Sequence, residues 1–143
     1  MTEFTSIYDK FLSKIEDYGY AQMSEEDAHA HFYTYLQSAI ARFGYMCRKD
    51  LSLRSEKGFL EPLDELEEEI LSTWMVAFHI KGNMITEENM RNFLNSRDYR
   101  QYSSANLLKV LRDTHHDVQN DAHALMSLYD TQHLLKDREN KNG

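Results

Sequence analysis

Proline occurs once in this sequence and glycine five times. Sandwiches and barrels turn every few residues and place both residue types at those turns, so their scarcity argues for long helices. A single cysteine, Cys47, excludes an internal disulfide and fits a reducing compartment. Long apolar runs are missing: residues 75–78, with Ile80 just beyond, fall far short of the ~18 residues a membrane span needs. Residues 1–20 carry Asp and Glu and lack the apolar block of a signal peptide. These absences give the expectation of a soluble protein made inside the cell, with no membrane partner. Positive charge is also scarce. Lys and Arg number 16 against 24 Asp and Glu, a net charge of −8. Nucleic-acid binding depends on Lys and Arg to neutralise phosphates, so tight binding to DNA or RNA is disfavoured.

What is present suits one globular domain. The chain has 143 residues, 41 % of them hydrophobic and 28 % charged, enough to bury ~70 % of the unfolded surface in a single core. Apolar residues recur at helical spacing in five segments. The first, residues 4–18, places Phe4, Ile7, Tyr8, Phe11, Leu12 and Ile15 on one stripe and stops at Gly19. The second opens at Ser24 with Glu25, Glu26 and Asp27 in its first turn, a capping arrangement, and continues to about Arg48. Residues 49–61 read as a loop. The third begins with Pro62 in its first turn, buries Leu63, Leu66, Ile70, Leu71, Trp74 and Phe78, and ends at Gly82-Asn83. Its acids Asp64, Glu65, Glu67, Glu68 and Glu69 are expected to lie mainly outward. A short fourth helix starts at Thr86. After an irregular turn over residues 95–102, the longest helix runs from Ser103 or Ser104 to about Leu135. The fold expected is an all-α antiparallel bundle of four to five helices, with residues 1–135 as the domain and 136–143 as a flexible polar tail.

Seven histidines raise the question of a metal. Ferritin-like bundles use Glu-x-x-His pairs on two helices plus carboxylates from two others. Glu26-Asp27-Ala28-His29 has that spacing, and Asp113-x-x-His116 and Asp130-x-x-His133 echo it. Glu26 lies in a capping turn and His116 sits off the leucine stripe, so surface and boundary histidines are the preferred reading. Cys47 has no Cys-x-x-Cys partner, and nothing in the sequence brings His79 to it as a base. No phosphate loop, nucleophile elbow or zinc-protease helix is found. The reading is a protein that is not an enzyme and carries no cofactor or metal.

The stretch from Leu94 through Asn95-Ser96-Arg97-Asp98-Tyr99-Arg100-Gln101-Tyr102-Ser103-Ser104-Ala105-Asn106 to Leu107-Leu108 resembles a turn that precedes a long helix in small proteins of tailed bacteriophages. There the helix ends in a tyrosine-containing tail, here Tyr129. Cys47-Arg48-Lys49-Asp50-Leu51 and the third helix from Leu66 to Trp74-Met75 also follow that pattern. The resemblance covers about the last two-thirds of the chain. It implies a virion structural protein made in the host bacterial cytoplasm: a head–tail connector, also called a neck, adaptor or head-completion protein. Connectors of this type form a ring beneath the portal, and DNA passes through without sequence-specific binding. The implied partners are the portal, other neck and tail proteins, and further copies of the chain. Two alternatives remain open: another tail-completion or morphogenetic protein, and a soluble intracellular adaptor binding other proteins.

A closed ring of identical subunits needs two different adhesive faces on each. The candidates for partner docking are Leu51, Leu53 and Phe59 in one loop, Tyr99 and Tyr102 in the other, Tyr129, and the apolar pair Leu134-Leu135 near the tail. A net charge of −8 gives such a ring a wall that repels passing phosphates.

Overall fold

A computed structural model describes residues 1–15, 18–93 and 104–142 of the chain. Most belong to four helices: α1 (Phe4–Ser13), α2 (Glu25–Phe43), α3 (Glu65–Phe93) and α4 (Ser104–Asn142). The helical bundle expected from the sequence is the architecture found. α3 is its axle, packed against α1, α2 and α4. Residues 70–77 of α3 are buried all the way round, the pattern of a helix surrounded by others. Around them the core gathers Ile7 and Phe11 of α1, Phe32, Leu36 and Phe43 of α2, and Ala122, Met126 and Tyr129 of α4.

The starts of α2 and α3 are set by side-chain caps. Ser24 Oγ accepts from the Asp27 N–H at 3.1 Å, and Glu25, Glu26 and Asp27 occupy the positive end of α2. At α3, Asp64 Oδ1 accepts from the Glu67 N–H at 2.7 Å while Glu67 Oε1 accepts from the Asp64 N–H at 2.9 Å. This reciprocal capping box, not Pro62, begins the helix.

Several boundaries differ from the sequence reading, the first being α1, which ends at Ser13 and not at residue 18. α2 stops at Phe43, before Arg48, with the Gly44 N–H bonded to the Ile40 carbonyl at 2.7 Å. Gly82-Asn83 does not end α3, which continues to Phe93 and absorbs the separate helix expected from Thr86. Thr86 Oγ1 donates to the Gly82 carbonyl at 3.0 Å, a bond back along one turn rather than a cap. Residues 136–142 are helical where a flexible tail was expected. Arg48 Nη2 holds Asp137 Oδ2 at 2.7 Å and ties this last stretch to the loop after α2.

That loop also forms a strand. Thr2–Glu3 (β1) pairs antiparallel with Gly58–Phe59 (β2), Thr2 opposite Phe59 and Glu3 opposite Gly58. Phe59 is fully buried with its ring edge against Phe4 at 5.1 Å, and Leu51 is buried as well. A Cβ at Gly58 would lie 2.2 Å from the Thr2 carbonyl oxygen and 2.7 Å from Glu3 Cα, both main-chain atoms. Gly58→Ala is therefore expected to cost about 1–3 kcal/mol by urea denaturation. Gly82→Ala, whose Cβ would meet only Tyr35 Oη at 3.8 Å, is expected to stabilise by up to about 1 kcal/mol.

Candidate functional site

Where the loop after α2 meets α3 and α4, a carboxylate is buried. Glu67 has no solvent exposure. Its Oε2 accepts from Tyr129 Oη at 2.6 Å and from Cys47 Sγ at 3.4 Å, and Lys49 Nζ approaches Oε1 at 3.1 Å. The main-chain N–H of Asp64 supplies a further donor to Oε1. Tyr129 Oη in turn accepts from the Arg48 N–H at 2.8 Å. A buried charge is tolerated only when paired and hydrogen-bonded, and this one is. Burial pushes the Glu67 carboxyl up, but the bonds from Tyr129, the Asp64 N–H and Lys49 outweigh it and hold it below the ordinary glutamate value. Burial, followed by the bond to Glu67, raises the Tyr129 phenol well above its usual range.

This arrangement fastens three elements together but does not activate a nucleophile. Burial pushes the Cys47 thiol up to about 12, and the neighbouring Glu67 carboxylate adds to the effect. A nucleophilic cysteine needs the reverse, a cationic surrounding that favours thiolate. His79 is engaged elsewhere, hydrogen-bonded to Tyr20 Oη at 3.1 Å and packed edge-on against Phe11 and Tyr35. The Glu-x-x-His spacing at Glu26 and His29 also assembles nothing: His29 lies 3.9 Å from Glu25 and stacks near Tyr8. His133 bonds the Tyr129 carbonyl through Nδ1 at 2.8 Å. Among the described residues, no group of three or more His, Cys, Asp or Glu side chains is placed to hold a metal ion.

The residues expected to dock partners divide. Tyr129, Leu51 and Phe59 are buried in the chain's own core, so the expectation that they face partners is corrected. Tyr129 is enclosed by Phe43, whose ring lies edge-on at 5.1 Å, and by the Glu67 knot. Phe59 is covered because the β1–β2 pair sets it against Phe4 at the start of α1, and Leu51 is buried in the same core cluster. Leu53 is exposed. Leu134 and Leu135 are 51 % and 54 % exposed, with Leu128 at 47 % about two turns upstream. Tyr99 and Tyr102 lie outside the described residues.

The described surface also carries hollows, one of about 530 Å³ beside Cys47, Arg48 and Lys49. One of about 1110 Å³ lies beside α1 and the β-pair, lined by Phe4, Tyr8, Tyr33, Arg54 and Lys57 among others. Another of about 600 Å³ runs between α3 and α4, where Val76 faces Val118, Leu125 and Leu128 and Asp121 sits at the edge. Among the described residues, no helix is long and apolar enough to cross a membrane. Comparison with protein-family profiles, with curated proteins and with solved structures gives no match to this chain.

Proposed function

We propose that this chain is a non-enzymatic assembly subunit, a head–tail connector of a tailed bacteriophage that forms a ring under the portal. One observation carries the reading. A 39-residue helix, about 58 Å long at 1.5 Å per residue, is pinned to the body at Tyr129 and Asp137 yet presents leucines outward. Leu128 is exposed at the hollow between α3 and α4, and Leu134 and Leu135 are exposed about two turns further on. Single exposed apolar residues are ordinary, but a long helix with exposed leucines at two separate places suits two different contacts, as a ring requires. The net charge of −8 agrees with a wall that lets DNA slide past. The resemblance in the 94–108 stretch supplies the viral context.

Deleting residues 130–143 tests it. The truncation keeps Tyr129 and its bond to Glu67, removing one exposed ion pair, worth no more than about 1 kcal/mol, and the His133 ring beside Tyr129, so the bundle is expected to fold. The truncated chain is expected to be missing from purified virions, and the full chain to be located between portal and tail by particle imaging. A truncated chain that enters particles normally overturns the reading. The same exposed leucines would serve an intracellular protein–protein adaptor, which predicts no portal association and neighbouring genes unrelated to capsid, portal or tail.

A further inference from the structure

α4 carries two exposed surfaces of opposite charge. The first is the apolar groove against α3, with Leu125, Leu128 and Val118 from α4 and Val76 from α3. Asp121 stands at its edge, and Asp117 is exposed one turn earlier on the same side of the helix. The second is the C-terminal end. Leu134, Arg138 and Lys141 recur at four and three residues, the spacing of one helix face, and Leu135 adjoins them. All four are exposed. Of the two acids within this stretch, Asp137 is already paired with Arg48, and Glu139 lies off the face of Leu134, Arg138 and Lys141, on the side of Leu135. Neither Asp117 and Asp121 nor Arg138 and Lys141 make an ion pair with any described residue. The groove thus offers an apolar floor with an acidic edge, and the helix end offers leucines with basic residues.

One chain cannot close this contact on itself. Asp121 and Leu134 belong to one uninterrupted helix and stand about 20 Å apart along it. Groove against groove fits no better, because it sets Asp117 and Asp121 against their own copies. We propose that the end of α4, around Leu134, Leu135, Arg138 and Lys141, seats in the α3–α4 groove of a second copy of this chain, against Asp117 and Asp121. The two surfaces differ in position and face, so the contact is head-to-tail, and repetition closes a ring where the rotation allows it. The inference rests on the assembly reading above and names the surfaces that carry it.

The test is a charge exchange in the full-length chain, read by sedimentation velocity and light scattering at low salt, where such pairs are least screened. The wild type is expected to associate with rising concentration. Arg138→Glu with Lys141→Glu, or Asp117→Lys with Asp121→Lys, is expected to weaken association at least about tenfold. The fourfold variant carrying both exchanges is expected to recover it. An equal mixture of the two double variants should associate as the wild type does, in alternation, since the acidic end and groove of one meet the basic groove and end of the other. Unchanged circular dichroism and unfolding midpoints confirm that the exposed substitutions leave the fold intact. A wild type that stays monomeric to about millimolar concentration, or double variants that associate as it does, overturns the contact. Should those variants still associate but vanish from virions, the helix end docks on the portal instead. That outcome removes this contact and leaves the connector reading standing. Recovery by charge exchange in a chain absent from the virion neck does the opposite.

Discussion

Glu67→Ala is expected to lower the stability of the fold by about 3–5 kcal/mol, the range for breaking one member of a buried ionic cluster. The substitution removes the acceptor shared by Tyr129, Lys49, Cys47 and the Asp64 N–H. Tyr129 is 1 % exposed, so its hydroxyl loses a 2.6 Å acceptor where water has little access. The α3 capping box disappears as well, a further part of the same loss. Glu67→Gln keeps the shape and one acceptor oxygen and should cost less, about 1–3 kcal/mol. Equilibrium urea denaturation at neutral pH measures both. An alanine variant within about 1 kcal/mol of wild type means that water or a shifted loop satisfies these donors, and the knot does not fasten the loop.

Acid gives an independent reading of the same cluster. The Glu67 carboxyl is held below its ordinary value in the folded chain, so the unfolded chain takes up the proton first as pH falls. The contribution of Glu67 is therefore complete above the ordinary glutamate range. It declines as pH drops through that range and is gone below the depressed folded value. Glu67→Gln lacks this ionisation, so the stability gap between wild type and variant is expected to narrow between about pH 5 and pH 3. A gap that stays constant through that window contradicts an ionised, hydrogen-bonded Glu67.

The fold was legible where local rules act alone. Ser24 with its following acids announces α2, and the Ile70, Leu71, Trp74, Phe78 stripe announces the core face of α3. The knot was written in the same stripe. Glu67 precedes Ile70, Leu71 and Trp74 by three, four and seven residues, so it shares their face. Its charge suggested solvent, and only the approach of Cys47, Lys49 and Tyr129 from distant parts of the chain makes its burial tolerable. The capping pair Asp64 and Glu67 was the available signal, since it fixes the Glu67 side chain back against the helix start. Leu51 and Phe59 escaped for another reason. The burial of Phe59 depends on a strand pair two residues long, too short for any alternation to show, and Leu51 sits in a loop outside any periodic segment. Gly82 misled because glycine stops a helix by adopting a left-handed backbone, and here it does not. The exposed leucines of α4 were visible in sequence, whereas the groove opposite them exists only once α3 and α4 are packed.

That packing depends most on Trp74, and Trp74→Ala is expected to cost about 3–5 kcal/mol. The indole is 1 % exposed at the α3–α4 contact. Its Nε1–H donates to Met126 Sδ at 3.2 Å, and the His123 ring stands edge-on at 5.1 Å, both from α4. On its other side the Arg42 guanidinium of α2 lies 5.6 Å from the ring centroid. Alanine leaves a cavity bounded by three helices that cannot all close on it, and the lost cation–π contact adds only about 0.5–1 kcal/mol of the total. Arg42→Ala alone should therefore stay near 1 kcal/mol, while Trp74→Phe, which keeps an aromatic ring but not the N–H, should fall between the two. Denaturation must be followed by circular dichroism, because Trp74 is the one tryptophan in the chain. The consequence reaches the surface. Val76 and Leu125, two and one residues from Trp74 and Met126, line the groove. A loosened α3–α4 contact should thus weaken self-association more than the exposed Arg42→Ala does. A Trp74→Ala chain that loses less than about 1 kcal/mol would mean α4 is held without this contact, and its groove would have no fixed shape to offer.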